Sequence, residues 1–139
     1  PSDLRCLTEW RNQFLASFLT EFEATTERTA RWLAEHVDPH PGKILFMVED
    51  LTRQSFAYVG LDQIDWDSGF GEADAIVRGG PAPKGSMTLV LQTLLAWAHT
   101  ALGLESLAVR VRSNNSAVQF YEKCGFVEAR RVPLRRIEE

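Results

Sequence analysis

Residues Val77 to Met87 read VRGGPAPKGSM, which places three glycines, two prolines and Lys84 between an alternating stretch and a long helical repeat. A loop that leaves a strand and opens a helix sits at the positive end of the helix dipole, where first-turn amides are unpaired donors. Glycines let an anion approach the backbone and prolines stiffen the turn that aims the amides. The composition therefore fits a phosphate-bearing ligand, although taken alone it fits an ordinary strand-to-helix turn better. Gly80 and Gly85 have the separation of a nucleotide phosphate loop, but Ser86 and Met87 follow where that motif needs Lys and then Ser or Thr. No G-x-G-x-x-G dinucleotide fingerprint is present. Just upstream, Gly71 to Arg78 alternates, with Glu72, Asp74 and Ile76 on one face and Ala73, Ala75 and Val77 on the other. Two carboxylates are thereby expected on one strand face.

Other reactive residue types carry less. Cys6 and Cys124 lie far apart without a metal-ligand spacing, so no metal site is expected. With no secretory leader at the N-terminus, they indicate a reduced, cytoplasmic setting. Cys124 reads as a small buried residue and His99 as a surface residue on the polar side of its helix.

The elements that must position these groups follow from periodicity. Leu4, Leu7, Trp10, Phe14, Leu15 and Phe18 recur at helical steps behind Ser2 and Asp3, and a second helix runs from a cap at about Thr26 to His36. Ile44–Val48 and Ser55–Leu61 read as hairpin-linked strands, and Gly71–Arg78 as a third. Met87, Leu91, Leu94, Leu95, Ala98 and Leu102 form the stripe of the longest helix, with Gly103 at its C-cap. Leu107–Val111 is a strand, Ser116–Cys124 a helix closed by Gly125, and Phe126 onward a further strand. A crossover through the long helix makes the strands on either side of it parallel, so the sheet is mixed and the class is α+β. The 139 residues, 45% hydrophobic and 24% charged, suit one globular domain. A net charge of −4 argues against a nucleic-acid partner. The most apolar run, Leu89–Leu104, is broken by Gln92, Thr93, His99 and Thr100, which argues against a membrane span.

VRSNNSAVQFYEKCGF, residues Val111 to Phe126, resembles the closing motif of the GNAT superfamily of acyl-coenzyme A-dependent N-acetyltransferases. There a strand is followed by N-x-x-A, then Tyr, then Gly-Phe, here Asn114, Ala117, Tyr121, Gly125 and Phe126. LTEWRNQFLASF and TTERTARWL are similar to the two N-terminal helices of the branch that includes ribosomal-protein N-terminal acetyltransferases. The resemblance spans nearly the whole chain. It implies a mostly antiparallel central sheet with helices on both faces and a splayed parallel strand pair.

It also implies roles. Acetyl-coenzyme A would be the cosubstrate, its pyrophosphate held by amides of Lys84, Gly85, Ser86 and Met87 and its pantetheine arm by the backbone near Ile76 and Val77. The family usually shows Gln or Arg, two residues, Gly, one residue, then Gly or Ala. Here Arg78 stands two residues before the first of these positions, and Pro83, which has no amide hydrogen, fills the first glycine position. Tyr121 is the family-matched general acid for the departing thiolate, since a phenol stays protonated at neutral pH. Asp74 or Glu72 would accept the proton of the incoming ammonium, and Asp74 lies nearer the thioester end. Asn114 either bonds the coenzyme or caps its helix. The acceptor is expected to be a primary amine: a protein N-terminus, an amino sugar or another small amine. A noncatalytic acyl-coenzyme A-binding module is the alternative. The family fold begins with a strand ahead of the first helix, whereas this sequence starts at Pro1-Ser2-Asp3, already at the helix cap. The expectation is a single acetyltransferase domain over 1–139 that lacks this strand. The Ile44–Val48 edge would then be open to pairing, with a homodimer as one outcome.

Overall fold

The first apolar repeat forms helix α1 (Ser2–Gln13), which buries Leu7, Thr8 and Trp10. In the computed structural model residues 2–14 and 23–134 are described, so Leu15 and Phe18 of that repeat lie outside the described residues. Helix α2 (Thr26–Trp32) is capped by Thr25, one residue earlier than expected, whose extended backbone lets its side chain accept from the Arg28 amide. A π-helical turn (Leu33–Val37) continues it. The two helices are fastened by a buried hydroxyl pair, Thr8 Oγ1 donating to Thr29 Oγ1 at 2.8 Å. Asn12 adds a second tie, bonding both the amide and the carbonyl of Ala24 at 2.7 and 2.8 Å. Each buried polar group on this seam thus finds a partner.

Strands β1 (Ile44–Glu49), β2 (Ser55–Asp65), β3 (Phe70–Arg78) and β4 (Ser106–Val109) form one sheet in that order. β1, β2 and β3 are antiparallel neighbours, while β3 and β4 run parallel across helix α3 (Ser86–Leu102). Gly103 ends α3 in the left-handed region at φ 70°, and Gly125 follows helix α4 (Ala117–Lys123) at φ 106°. The strand expected from Phe126 onward is not formed: residues 126–134 are irregular, with Val127, Val132 and Leu134 exposed. β-forming residue types alone do not make a strand without a ladder partner, and Pro133 removes a donor from this segment.

The sheet is covered on both faces. Val59, Leu61 and Ala73 meet Leu91, Leu94 and Ala98 of α3 and Cys124 behind α4, forming the larger core. On the opposite face Tyr58 and Val77 meet Leu7 and Trp10 of α1. The Trp10 indole stacks on the Tyr58 ring with centroids 6.2 Å apart and planes 11° off parallel. The architecture is the α+β mixed sheet that the residue pattern implies. No helix among the described residues is long and apolar enough to cross a membrane.

Candidate active site

The parallel pair comes apart midway along β3. β3 pairs with β4 from Phe70↔Ser106 to Ala73↔Val109, and there β4 ends, two residues short of the Val111 expected. β3 itself continues to Arg78. From Asp74 to Arg78 its outer edge has no strand partner among the described residues, and such an edge presents backbone donors and acceptors to whatever lies beside it. At the same place the ladder to β2 slips, from Gly60↔Asp74 to Tyr58↔Val77, so Val59 opposes both Ala75 and Ile76. Ala75 takes a left-handed φ of 54°. This is a β-bulge, at a conformation that costs a non-glycine residue about 1 kcal/mol.

The bulge corrects the simple alternation. Ala73 packs in the α3-side core, but Ala75 and Val77 pack on the α1 side and Ile76 returns to the α3 side. Ala73, Ala75 and Val77 therefore do not share a face, because one inserted residue reverses the phase of everything after it. Ile76 and Val77 lie on the unpaired run just beyond the splay.

The two carboxylates separate into different environments. Glu72 is buried and accepts from Arg110 Nε, the guanidinium of the first residue after β4. It is thereby engaged by a cation. Asp74 is exposed. It borders a small cleft with Trp32, Lys43 and Gly60, and its charge acts on Arg11, Tyr58, Arg110 and Tyr121. Tyr121 approaches from the α3 side, packed against Phe120 and Phe126 at ring separations of 5.4 and 6.0 Å. Burial, with smaller contributions from the charges of Asp74 and Cys124, pushes its phenol up to about 12. Tyr121 thus packs on the α3-side core as a protonated phenol, and the charge of Asp74, exposed on β3, reaches it.

Arg11 and Tyr58 were not singled out by residue type. Burial lowers the Arg11 guanidinium from its ordinary value, with Tyr58 and Asp74 pulling it back up, and burial raises the Tyr58 phenol. Arg11 follows Trp10 by one position and α1 packs its Trp10 face on the sheet, so helical phase could have placed it near β3. The Cys124 thiol is raised by burial, which keeps it protonated and suits a packing role. His99 is exposed, with Nδ1 3.2 Å from the Leu104 carbonyl.

The loop beyond β3 is anchored at its start by the amides of Gly79 and Gly80, which both donate to the Phe56 carbonyl at 2.9 and 3.0 Å. At its end Gly85 is the N-cap of α3, with φ 87° and nothing within 4 Å of the position a Cβ would take. Ser86 is occupied inside the turn: its amide and its hydroxyl both donate to the Pro83 carbonyl, at 3.1 and 2.6 Å. The donors that face outward from the first turn are then the amides after it, Met87 and Thr88, together with the exposed Gly85 and Lys84. Arg78 is exposed at the end of β3, opposite Ala57. Asn114 is exposed in the turn before α4, and the capping contact is made by its neighbour, Asn115 Oδ1 accepting from the Ala117 amide at 2.8 Å. Among the described residues no group of three or more His, Cys, Asp or Glu side chains could hold a metal ion.

A family model, the acetyltransferase (GNAT) domain, matches residues 1–127. Among solved structures, the spermidine N-acetyltransferase of Vibrio cholerae in complex with CoA and spermine superposes with a TM-score of 0.79 at 24% identity, covering 92% of this chain and 77% of that one. A single-residue mutant of the same enzyme matches at 26% identity and TM-score 0.75, over 92% of this chain and 76% of its own. A chimera of the Vibrio cholerae enzyme and hSSAT matches at 27% identity and TM-score 0.74, over 92% and 78%. No curated protein sequence matches the chain significantly.

Proposed function

We propose that this chain, which belongs to the GNAT acetyltransferase family, is an N-acetyltransferase that moves an acetyl group from acetyl-coenzyme A to a primary amine by direct attack. The observation that carries the reading is the parting of β3 from β4 after Ala73↔Val109, with the bulge at Ala75 beside it; Tyr121 and Asp74 are assigned to its two sides. The unpaired edge from Asp74 to Arg78 suits the two amides of a pantetheine arm, which can pair with it as an added strand does. Backbone donors near Ile76 and Val77 polarise the thioester carbonyl where negative charge develops. Asp74 takes a proton from the arriving ammonium, through water, and the freed nitrogen attacks the carbonyl carbon. As the carbon–sulfur bond breaks, Tyr121 gives its proton to the sulfur, and the excess proton on the new amide nitrogen passes through water back to the phenolate. Asp74 is preferred to Glu72 as the acceptor of that proton because Glu72 is held by Arg110.

The pyrophosphate is assigned to the turn at Lys84, Gly85 and Met87, with Ser86 bracing that turn through Pro83, and the exposed Arg78 and Asn114 are assigned as further contacts to the coenzyme. Lys84→Ala is expected to weaken acetyl-coenzyme A binding two- to fivefold, roughly the value of one exposed charge contact. Gly85→Val is expected to weaken it by about tenfold or more, since a β-branched residue resists φ 87° and fills the approach to the amides. Calorimetric titration of the three proteins is the check, and equal affinity for wild type and Gly85→Val removes the assignment.

The similarity to spermidine N-acetyltransferases supports a small amine as acceptor. The resemblance of the first two helices to ribosomal-protein N-terminal acetyltransferases supports a peptide N-terminus. We assign 1–139 to one acetyltransferase domain working in the cytoplasm, and the outer edge of β1, which has no partner among the described residues, supports association between copies. The test of the whole reading is coenzyme release from acetyl-coenzyme A in the presence of a panel of polyamines, amino sugars and short peptides. Release with at least one amine supports transfer. Tight binding of acetyl-coenzyme A without release from any of them would leave a noncatalytic binding module.

A further inference from the structure

We infer that Glu72 and Arg110 form a clasp across the last rungs before β3 and β4 separate, and that Glu72 is a positioning residue that sets the width of the splay. The inference rests on the acetyltransferase reading of this opening. Glu72 pairs in register with Ala108 and Ala73 with Val109, so Arg110 is the first residue that leaves the ladder, and its guanidinium reaches back to the strand its backbone has just left. The carboxylate side chain is 10% exposed and the guanidinium 62%, so a solvated cation covers a buried anion at the mouth of the opening.

The surrounding charges explain why the clasp is needed. Asp62 lies directly opposite Glu72 on β2, and like charges at facing positions on one sheet face repel. Lys43 holds Asp62 at 3.5 Å from the β1 side while Arg110 holds Glu72 from the β4 side, so the two facing carboxylates are flanked by one cation on each side. Arg110 feels Glu72, Asp74 and Asp62 together. Without Arg110, Glu72 would be a buried carboxylate facing Asp62, and the departing segment would lose the ion pair that ties its first residue back to β3. The angle at which that segment leaves decides how far the open edge of β3 stands from the facing chain, and displacement by an ångström at a reacting centre is costly.

The test compares binding of acetyl-coenzyme A with binding of 3′-phosphoadenosine 5′-diphosphate, the coenzyme's nucleotide half, which does not enter the splay. Glu72→Gln and Arg110→Ala are expected to weaken acetyl-coenzyme A by about tenfold and to leave the nucleotide half within about twofold of wild type. Arg110→Lys, which keeps the charge, should restore most of the loss, and the double variant Glu72→Gln with Arg110→Ala should be no weaker than Arg110→Ala alone. Thermal melts of the unliganded variants accompany the titrations. Equal loss of both ligands would mean general damage to the fold and would overturn the clasp, as would unchanged acetyl-coenzyme A affinity in Glu72→Gln. Failure of the wild-type protein to bind acetyl-coenzyme A would overturn the acetyltransferase reading and this inference with it.

Discussion

Replacing Tyr121 by phenylalanine is expected to lower kcat by about 100-fold or more while the affinity for acetyl-coenzyme A stays within about twofold. The ring contacts with Phe120 and Phe126 survive the substitution, so α4 keeps its packing and only the hydroxyl is lost. With its phenol pushed up to about 12, Tyr121 is a protonated donor throughout the neutral range. Its own titration falls on the alkaline side of any working pH. The sign for stability follows from burial: an unfolded tyrosine ionises near pH 10, so from about 10 to about 12 the unfolded chain releases a proton that the folded one keeps. Stability therefore falls with rising pH across that interval, and Tyr121→Phe should remove this share of the fall. Single-turnover rates beside equilibrium binding provide the check. An unchanged rate would assign protonation of the sulfur to water.

Gly79→Ala is expected to be the most destabilising single-atom change in the described fold, on the order of 3 kcal/mol or more. A Cβ at Gly79 would lie 2.0 Å from the Trp10 indole, and the indole cannot retreat because it is stacked on Tyr58 in the smaller core. Either the loop start lifts, breaking the bonds of the Gly79 and Gly80 amides to the Phe56 carbonyl, or α1 shifts off the sheet. Urea unfolding of Gly79→Ala, Trp10→Leu and the double variant reads the coupling between the two sites. The double variant should be more stable than the sum of the single losses allows, and strict additivity would deny the contact.

Local signals were the legible ones. Gly103 and Gly125 announce their helix ends because a left-handed C-cap asks for glycine within a few residues of the stripe it closes. The bulge carries no such mark, because its left-handed residue is Ala75 in an otherwise regular alternation, and what holds it there is the slip in pairing with β2. Position along the strand favoured Asp74 over Glu72 but said nothing of their different environments. What separates them is Arg110, 38 residues away in the chain and adjacent only once β3 and β4 pair. That Asn115 rather than Asn114 makes the contact with the Ala117 amide was likewise set by the backbone of the turn. The family likeness of Asn114, Tyr121 and Gly125 pointed to a candidate site where residue chemistry alone would have left a glycine-rich loop and a strand face with two carboxylates.

The unequal size of the two cores has a consequence for motion. Local opening takes a free energy set by the apolar contacts it breaks, so segments seated on few buried side chains breathe before the rest of the molecule. α3 and α4 rest on the extensive cluster that includes Leu61, Leu91, Leu94 and Leu104, while α1 rests on Leu7 and Trp10 against Tyr58 and Val77. Amide protons of α1 should accordingly exchange with solvent sooner than those in the middle of α3. Asp74 faces the α1 side and Tyr121 the α3 side, so under the proposed assignment the wall that would meet the amine is the one that loosens at low cost. On that assignment acceptors would come and go by small excursions of α1, while Tyr121, seated on the larger core, stays in place.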